Sequence, residues 1–227
     1  RTLAREGCDI AIIGRDEAAA RVSAADIAAE TGRLAQAWSV DTGDDQSVQT
    51  AVAQIAVQFD RIDILVNAAA KPGGQTPPPK LSEITTDLFW SDVNVKVMGY
   101  LRMARECAPH MIRNGWGRII NISGLAARQT GSTIGSIRNV GVAALTKNLA
   151  DELGPQGINV VCVHPGLTRT EKTPDVIARQ AHSKGVPTDE IEQRMASMNA
   201  VRRLIGADDI AEIVAFLASP KSIAING

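Results

Sequence analysis

The stretch Gly117-Arg118-Ile119-Ile120-Asn121-Ile122-Ser123-Gly124 decides the fold class, because it joins a short β-branched run to a polar turn. A run of this length, bounded by glycines, favours a buried strand at Arg118–Ile122 over a helix. Four further apolar runs have the same character, at Asp9–Ile13, Ala35–Val40, Ile62–Asn67 and Asn159–Val163. Strands that are apolar on both faces are typical of a parallel sheet covered on both sides.

Longer amphipathic stretches separate these strands. Ser47–Phe59 carries four apolar residues on one stripe at helical spacing: Val48, Val52, Ile55 and Phe59. Further helices are predicted at Asp87–Arg113, Ser136–Leu153 and Asp208–Ala218. This alternation predicts the α/β class: a doubly wound, Rossmann-type parallel sheet with helices on both faces, forming a single domain over residues 1–227.

Two segments interrupt the pattern after predicted strands. Pro72–Pro79 is rich in proline and glycine and predicts a loop, and Thr168 to about Ile205 is polar and only weakly periodic. Both leave from the carboxyl ends of strands, so each could border a ligand site or be a surface insertion. At the ends, Arg1–Gly7 reads as the last turn of a helix and Ser222–Gly227 as the start of a strand. We therefore expect the chain to be a fragment, preceded by one strand and most of one helix.

The bulk composition excludes several classes of function. The chain has 227 residues and a formal net charge of −1, with no basic run, so we expect neither a nucleic-acid partner nor a membrane surface. No apolar stretch approaches the roughly 20 residues that span a bilayer. The three cysteines are far apart and lack metal-ligand spacing, so we expect no metal site. A soluble cytoplasmic protein is the expectation.

Five segments, in order along nearly the whole chain, resemble the short-chain dehydrogenase/reductase family. Asp63–Ala70 is similar to its D-x-L-V-N-N-A-G signature, with alanine in place of the second Asn and the final Gly, and Gly117–Gly124 to G-R-I-V-N-I-S-S. Leu145–Leu153 is similar to L-T-K-x-L-A-x-E-L, Gly157–Thr170 to G-I-x-V-N-x-x-x-P-G-x-x-x-T, and Asp208–Ser219 to the closing helix. The resemblance implies an oxidoreductase that interconverts a carbonyl and an alcohol on a small-molecule substrate with NADP(H) or NAD(H). It places the glycine-rich phosphate loop upstream of Arg1.

The residues after the first strand bear on which nucleotide is bound. In a Rossmann fold, a carboxylate at this point accepts from the ribose 2′-hydroxyl, whereas an arginine suits a 2′-phosphate. Here Gly14 is followed by Arg15, which favours NADP(H), and by Asp16, which keeps NAD(H) open. Alternatively, Arg15 is an ordinary exposed residue and Asp16 caps the next helix.

The resemblance also implies further cofactor contacts. An aspartate and its neighbour after the second strand match the family's adenine-contacting position. Small residues after the third strand match the position that contacts the adenosine ribose. Residues after the fourth and fifth strands match those on the nicotinamide side. The corresponding residues are Asp41, Thr42, Asn67, Ala68, Ala69, Ile122, Pro165, Gly166, Thr168 and Thr170.

The family's catalytic positions are altered. Counting back from the L-T-K segment places the family's Tyr on Gly135 and its Lys on Asn139. The chain has a single tyrosine, Tyr100, and no Tyr-x-x-x-Lys in any register. The family's Ser falls on Gly124, beside Ser123.

The family's Asn falls on Lys96 in the register that we favour, although a register with an insertion would restore Asn94.

Two hypotheses follow. The first is an oxidoreductase with a non-standard site that uses Lys96, Ser123 and Asn139, or Arg138, as hydrogen-bond donors, with Arg128 able to hold an anionic substrate. The second is a catalytically silent nucleotide-binding module, such as a sensor or partner subunit. We favour the first. In both, the two long helices Asp87–Arg113 and Ser136–Leu153 match those by which family members form homodimers and homotetramers. His110 and His164 are interpreted as structural.

Overall fold

The computed structural model describes residues 1–70 and 77–227. Within them, parallel strands form the centre of the molecule. Strands β1 and β2 pair with each other, and β3, β4 and β5 pair in the order β3-β4-β5. The five strands are Ile10–Gly14, Ala35–Ser39, Ile64–Asn67, Gly117–Ile122 and Ile158–Val163, and a short pair, β6 and β7, joins Thr168–Arg169 to Ile205–Gly206.

The helices alternate with the strands, as predicted. They are α1 (Thr2–Arg5), α2 (Glu17–Thr31), α3 (Asp45–Phe59), α4 (Thr86–Val93), α5 (Gly99–Asn114), α6 (Thr133–Leu153), α7 (Thr173–Lys184), α8 (Thr188–Ser197) and α9 (Ala207–Ala218). Short polar side chains begin several of them by accepting from backbone N–H groups: Asp16 caps α2, Asp44 caps α3, Thr85 caps α4 and Ser132 caps α6. A π-helical turn at Asn94–Met98 joins α4 to α5.

Helices cover both faces of the sheet. On one face the largest apolar cluster joins residues of α3, α5 and α6 to the strands, with Val48, Met111, Ile119, Ile158 and Val160 at 0% exposure. On the other face Ile120 and Val161 pack against α9. The predicted doubly wound α/β architecture is thus confirmed, and the alternation of facing side chains along β4 explains why its neighbours Ile119 and Ile120 belong to different clusters.

The polar segment after β5, which the sequence left as the border of a ligand site or a surface insertion, contains regular structure. The polar segment from Thr168 to about Ile205 contains α7 and α8, which bury Ile177, Ala181 and Ile191 against each other. Val186 and Met195 pack against this small cluster, and so few apolar residues produce little periodicity in the sequence.

The segment Ser222–Gly227 does not form a strand. Asn159 Nδ2 donates to the carbonyl oxygens of Ser222, Ile223 and Ile225, which folds this segment into a turn. In the predicted loop Pro72–Pro79, residues 72–76 lie outside the described residues, and 77–79 have no regular structure. Across the two described ranges, no helix is long and apolar enough to cross a membrane.

Candidate active site

The candidate site lies where β4 and β5 end. Ser123 and Gly124 follow β4, His164 follows β5, and Asn67 ends β3. Because these three strands are parallel and paired, their last residues meet at one edge of the sheet. The π-helical turn before α5 and the first turns of α6 close over this edge.

Lys96 enters the site from the π-helical turn. Its side chain is buried, with the residue 4% exposed, and Nζ donates to the backbone oxygen of Ser123 over 2.8 Å. Burial, and to a smaller extent the positive charge of Arg138, lower the pKa of Lys96 to about 8. π-helical turns occur most often at functional sites, because the wider turn changes the direction of the side chains it carries.

Ser123 and Asn139 meet on the opposite side of the strand end. Ser123 Oγ donates to the backbone oxygen of Asn139 over 3.0 Å, which ties the end of β4 to α6. The Asn139 side chain is buried, and its Oδ1 has no hydrogen-bond partner among the described residues. A Cβ added to Gly124 would lie 3.2 Å from Asn139 Nδ2, so the amide occupies space that a side chain at position 124 would need. The structure therefore brings together the three residues predicted as catalytic.

Gly135, at the family's tyrosine position, takes part in the N-cap of α6. A Cβ at Gly135 would lie 2.7 Å from Ser132 Oγ, which accepts from the Gly135 N–H and caps α6. Tyr100 is 1% exposed and its hydroxyl donates to the backbone oxygen of Ile122 over 2.9 Å. Burial raises the pKa of Tyr100 well above its ordinary value, so this phenol is unsuited to proton exchange.

His164, which the sequence analysis interprets as structural, directly follows β5 beside this site. Its Nδ1 is buried without a hydrogen-bond partner among the described residues. Burial lowers the pKa of His164, the Gly124 carbonyl raises it, and the charges of Arg128 and Lys96 lower it.

Two further groups surround Lys96. Cys162 is half-buried and lies against Ser123 and Thr146, and burial raises the pKa of its thiol. Arg138 forms an ion pair with Asp92, and both side chains are largely buried. Asp92 is therefore the carboxylate that balances part of the positive charge here.

Two of the predicted cofactor residues make hydrogen bonds within the protein. The Asn67 side chain donates to Asn121 Oδ1, and Asn121 Nδ2 donates to Thr146 Oγ1, each over 2.9 Å. This buried chain of hydrogen bonds joins β3, β4 and α6, and it occupies the Asn67 amide. Thr42 is likewise buried, and its hydroxyl donates to the backbone oxygen of Val95.

The loop after β5 is held by one amide. Asn199 Oδ1 accepts from the Leu167 N–H, and its Nδ2 donates to the oxygens of Leu167 and Arg203. Gly166 contacts this amide so closely that an added Cβ would overlap it. Pro165, Thr168 and Thr170 lie in the same loop, where Thr168 Oγ1 donates to the Gly166 oxygen and the Thr170 N–H donates to Thr173 Oγ1.

The other predicted cofactor residues remain accessible at the sheet edge. Arg15 is exposed, and no hydrogen bond or ion pair engages its guanidinium within the described ranges. An added Cβ at Gly14 would meet nothing within 4 Å, and Ala68 and Ala69 are exposed. Asp41 accepts from the Gly43 N–H over 2.8 Å and is also exposed. Small residues and an unpaired arginine fit a dinucleotide bound along this edge. Among residues 1–70 and 77–227, no group of His, Cys, Asp and Glu could hold a metal ion.

Comparisons with known proteins agree with this architecture. The sequence model of a family described as enoyl-(acyl carrier protein) reductase matches residues 1–227. The short-chain reductase protein NovJ of Streptomyces niveus is 34% identical over 227 residues, which cover 99% of this chain and 83% of NovJ.

Solved structures are also similar. L-Sorbose reductase from Gluconobacter frateurii, complexed with NADPH and L-sorbose, has a TM-score of 0.91 at 22% identity, covering 98% of this chain and 84% of the reductase, and so shows the shared fold. A variant of actinorhodin polyketide ketoreductase with NADPH has a TM-score of 0.88 at 26% identity, covering 99% of this chain and 86% of that one.

Proposed function

Because this chain belongs to the short-chain dehydrogenase/reductase family, we propose that it is an oxidoreductase that interconverts a carbonyl and an alcohol on a small molecule with NADP(H), using Lys96 in place of the family's tyrosine. The observation that carries the proposal is the buried ammonium of Lys96 at the carboxyl end of β4. When bound, the nicotinamide supplies or accepts the hydride. The chain's own residues must then supply or accept one proton.

Lys96 suits that task. A general acid works best when its pKa lies near the working pH, and burial lowers the pKa of Lys96 to about 8. The Ser123 carbonyl accepts one of the three ammonium protons and orients the group, which leaves two protons for a substrate oxygen. In reduction, a proton passes from Nζ to the carbonyl oxygen as the C=O bond opens, and solvent restores it afterwards.

Ser123 and Asn139 support this geometry in different ways. The Ser123 hydroxyl donates to α6, so it positions the strand end against the helix. The Asn139 amide lies beside Gly124 with Nδ2 nearest, so this N–H group could donate to a substrate oxygen.

The cofactor preference rests on Arg15 and Asp16. Asp16 Oδ1 accepts from the Ala19 N–H over 2.9 Å as the cap of α2, which makes this carboxylate less available to a ribose hydroxyl. Arg15 keeps its guanidinium unpaired among the described residues, in position for a 2′-phosphate. Both observations support NADP(H), with NAD(H) as the weaker ligand.

The test is reduction of a broad panel of carbonyl compounds by the full chain, followed through the absorbance of NADPH. Lys96→Met should lower kcat by about 100-fold to 10,000-fold, the usual contribution of a general acid, without changing the affinity for NADPH. Lys147→Met is the matched control, because this lysine is exposed on α6 and pairs with Asp151.

Two outcomes would contradict the proposal. Turnover that survives in Lys96→Met would remove this residue from the reaction. Tight NADPH binding without turnover of any carbonyl compound would instead favour the second candidate function, a silent nucleotide-binding module.

A further inference from the structure

Several cationic or ionisable side chains lie around the end of β4. Lys96 Nζ donates to the Ser123 oxygen, Arg138 pairs with Asp92, and Arg128 follows the turn after Gly124. The charges of Lys96 and Arg128 also act on His164, which follows β5. Within the described residues, neither Lys96 nor Arg128 forms an ion pair.

Arg128 is placed to receive a ligand. It follows the 3-10 turn Leu125–Ala127, one turn beyond Gly124, and the Arg128 N–H closes that turn on the Leu125 oxygen. Its side chain is exposed and makes no hydrogen bond or ion pair with the described residues, yet its charge reaches the His164 ring. A guanidinium binds a carboxylate or phosphate through two parallel hydrogen bonds.

Two side chains beside Gly124 have polar atoms without partners. Asn139 Oδ1 and His164 Nδ1 are buried without hydrogen-bond partners among the described residues, and the Asn139 residue is only 4% exposed. Buried polar atoms are nearly always hydrogen-bonded. The Asn139 Nδ2 group lies nearest to Gly124, 3.2 Å from the position of an added Cβ, so it is the part of this amide that could donate to a substrate oxygen placed there.

We propose that the substrate is an anionic carbonyl compound, with a carboxylate or phosphate held by Arg128 while the carbonyl lies between Lys96, Asn139 and His164. This proposal rests on the proposed function and names its substrate class. Reduction of such a compound transfers hydride from the reduced cofactor to the carbonyl carbon and a proton from Lys96 to the oxygen. The product is the corresponding hydroxy acid or phosphorylated alcohol.

The experiment compares matched substrates on the full chain. A 2-oxo acid is set against its methyl ester, and a phosphorylated ketose against the free ketose, so that the two anionic groups are tested separately. We expect kcat/KM for one anionic member to exceed that of its neutral partner by about tenfold to a hundredfold. Arg128→Gln should bring kcat/KM for the anionic member down to that of its neutral partner, and Arg128→Lys should keep part of the preference.

Arg21→Gln is the control, because it removes the same charge from an exposed ion pair on α2. Binding of oxamate, an unreactive analogue of a 2-oxo acid, and of inorganic phosphate is measured by calorimetry in parallel. The proposal is supported, even without turnover, if Arg128→Gln weakens binding of either anion and Arg21→Gln does not. Absence of turnover would count against the proposed function alone.

Equal turnover of anionic and neutral partners, or the absence of Arg128-dependent anion binding, would overturn the substrate class and leave the oxidoreductase proposal standing.

Discussion

At the scale of single residues, Gly135 stands at the family's tyrosine position and takes part in the N-cap of α6. Its N–H donates to Ser132 Oγ, and a Cβ added at position 135 would lie 2.7 Å from that hydroxyl, so the Ser132 side chain would have to shift. Glycine has no phenol to exchange a proton. The proton donor is therefore proposed on a different element, at Lys96.

The pH dependence of carbonyl reduction tests that assignment. The ammonium form of Lys96 is the proton donor, and burial lowers its pKa to about 8, so the donor is lost as the pH rises through this value. We expect kcat for reduction to be constant below that pKa and to fall about tenfold per pH unit above it. In the oxidation direction the dependence should reverse, because the neutral amine accepts the proton.

The groups that face Lys96 are Arg138, Asp92, Cys162 and His164. A Cys162→Ser variant keeps a polar side chain and should retain the alkaline fall, which separates Lys96 from the thiol. A flat profile through the neutral and alkaline range would exclude Lys96 as the donor.

At the scale of elements, an ion pair and hydrogen bonds of Arg102 hold the start of α5 against the loop after β2. Arg102 lies in the first turns of α5 with its side chain 9% exposed. It donates to Asp45 Oδ2 over 2.8 Å and to the backbone oxygens of Thr42 and Asn94 over 3.1 and 3.3 Å. These contacts fix the π-helical turn, and hence Lys96, relative to the sheet edge.

Loss of the Arg102 ion pair and hydrogen bonds should lower the free energy of unfolding measurably. Arg102→Met retains much of the volume but leaves two carbonyl oxygens and Asp45 without this donor, so we expect a loss of about 2–4 kcal/mol in the free energy of unfolding. Arg105→Met is the matched control: Arg105 also pairs with Asp45 but is 48% exposed, and exposed pairs contribute less than about 1 kcal/mol.

Urea unfolding of the two variants measures the difference. Similar midpoints would show that the burial of Arg102 adds nothing to the ion pair.

At the scale of the whole molecule, α4 and α6 expose more apolar surface than a solvated helix face requires. Trp90 is 59% exposed on α4, and Ile137 and Val140 are 48% and 51% exposed on α6. Large exposed apolar patches mark interfaces. This agrees with the prediction that the chain forms a homodimer or homotetramer through these helices.

Sedimentation of the purified chain tests that prediction. We expect a dimer or tetramer, and the double variant Ile137→Lys, Val140→Lys should shift it toward monomer because two charges would be desolvated in the interface. Val57→Lys on α3 is the control, since Val57 is 87% exposed on a different helix. A monomeric parent chain, or an assembly unchanged by the double variant, would contradict the prediction.

The sequence by itself determined the five strands, most of the long helices and the loss of the tyrosine. These features are local. Five neighbouring residues suffice to predict a strand such as Arg118–Ile122, and the absence of a Tyr-x-x-x-Lys motif does not depend on the alignment. The paired helices α7 and α8 could not be predicted in this way, because their apolar cluster has only three buried and two partly buried residues.

Only the tertiary structure decided how the altered positions work together. Lys96, Ser123, Asn139 and His164 come from four elements, and their contacts depend on how α5 and α6 pack against the ends of β4 and β5. Packing also decided that Asn67 and Thr42 are occupied by internal hydrogen bonds and that His164 faces Lys96. The packing of residues far apart in the chain determines how deeply each side chain of the site is buried and which charges lie near it. These two properties determine the chemistry of the site.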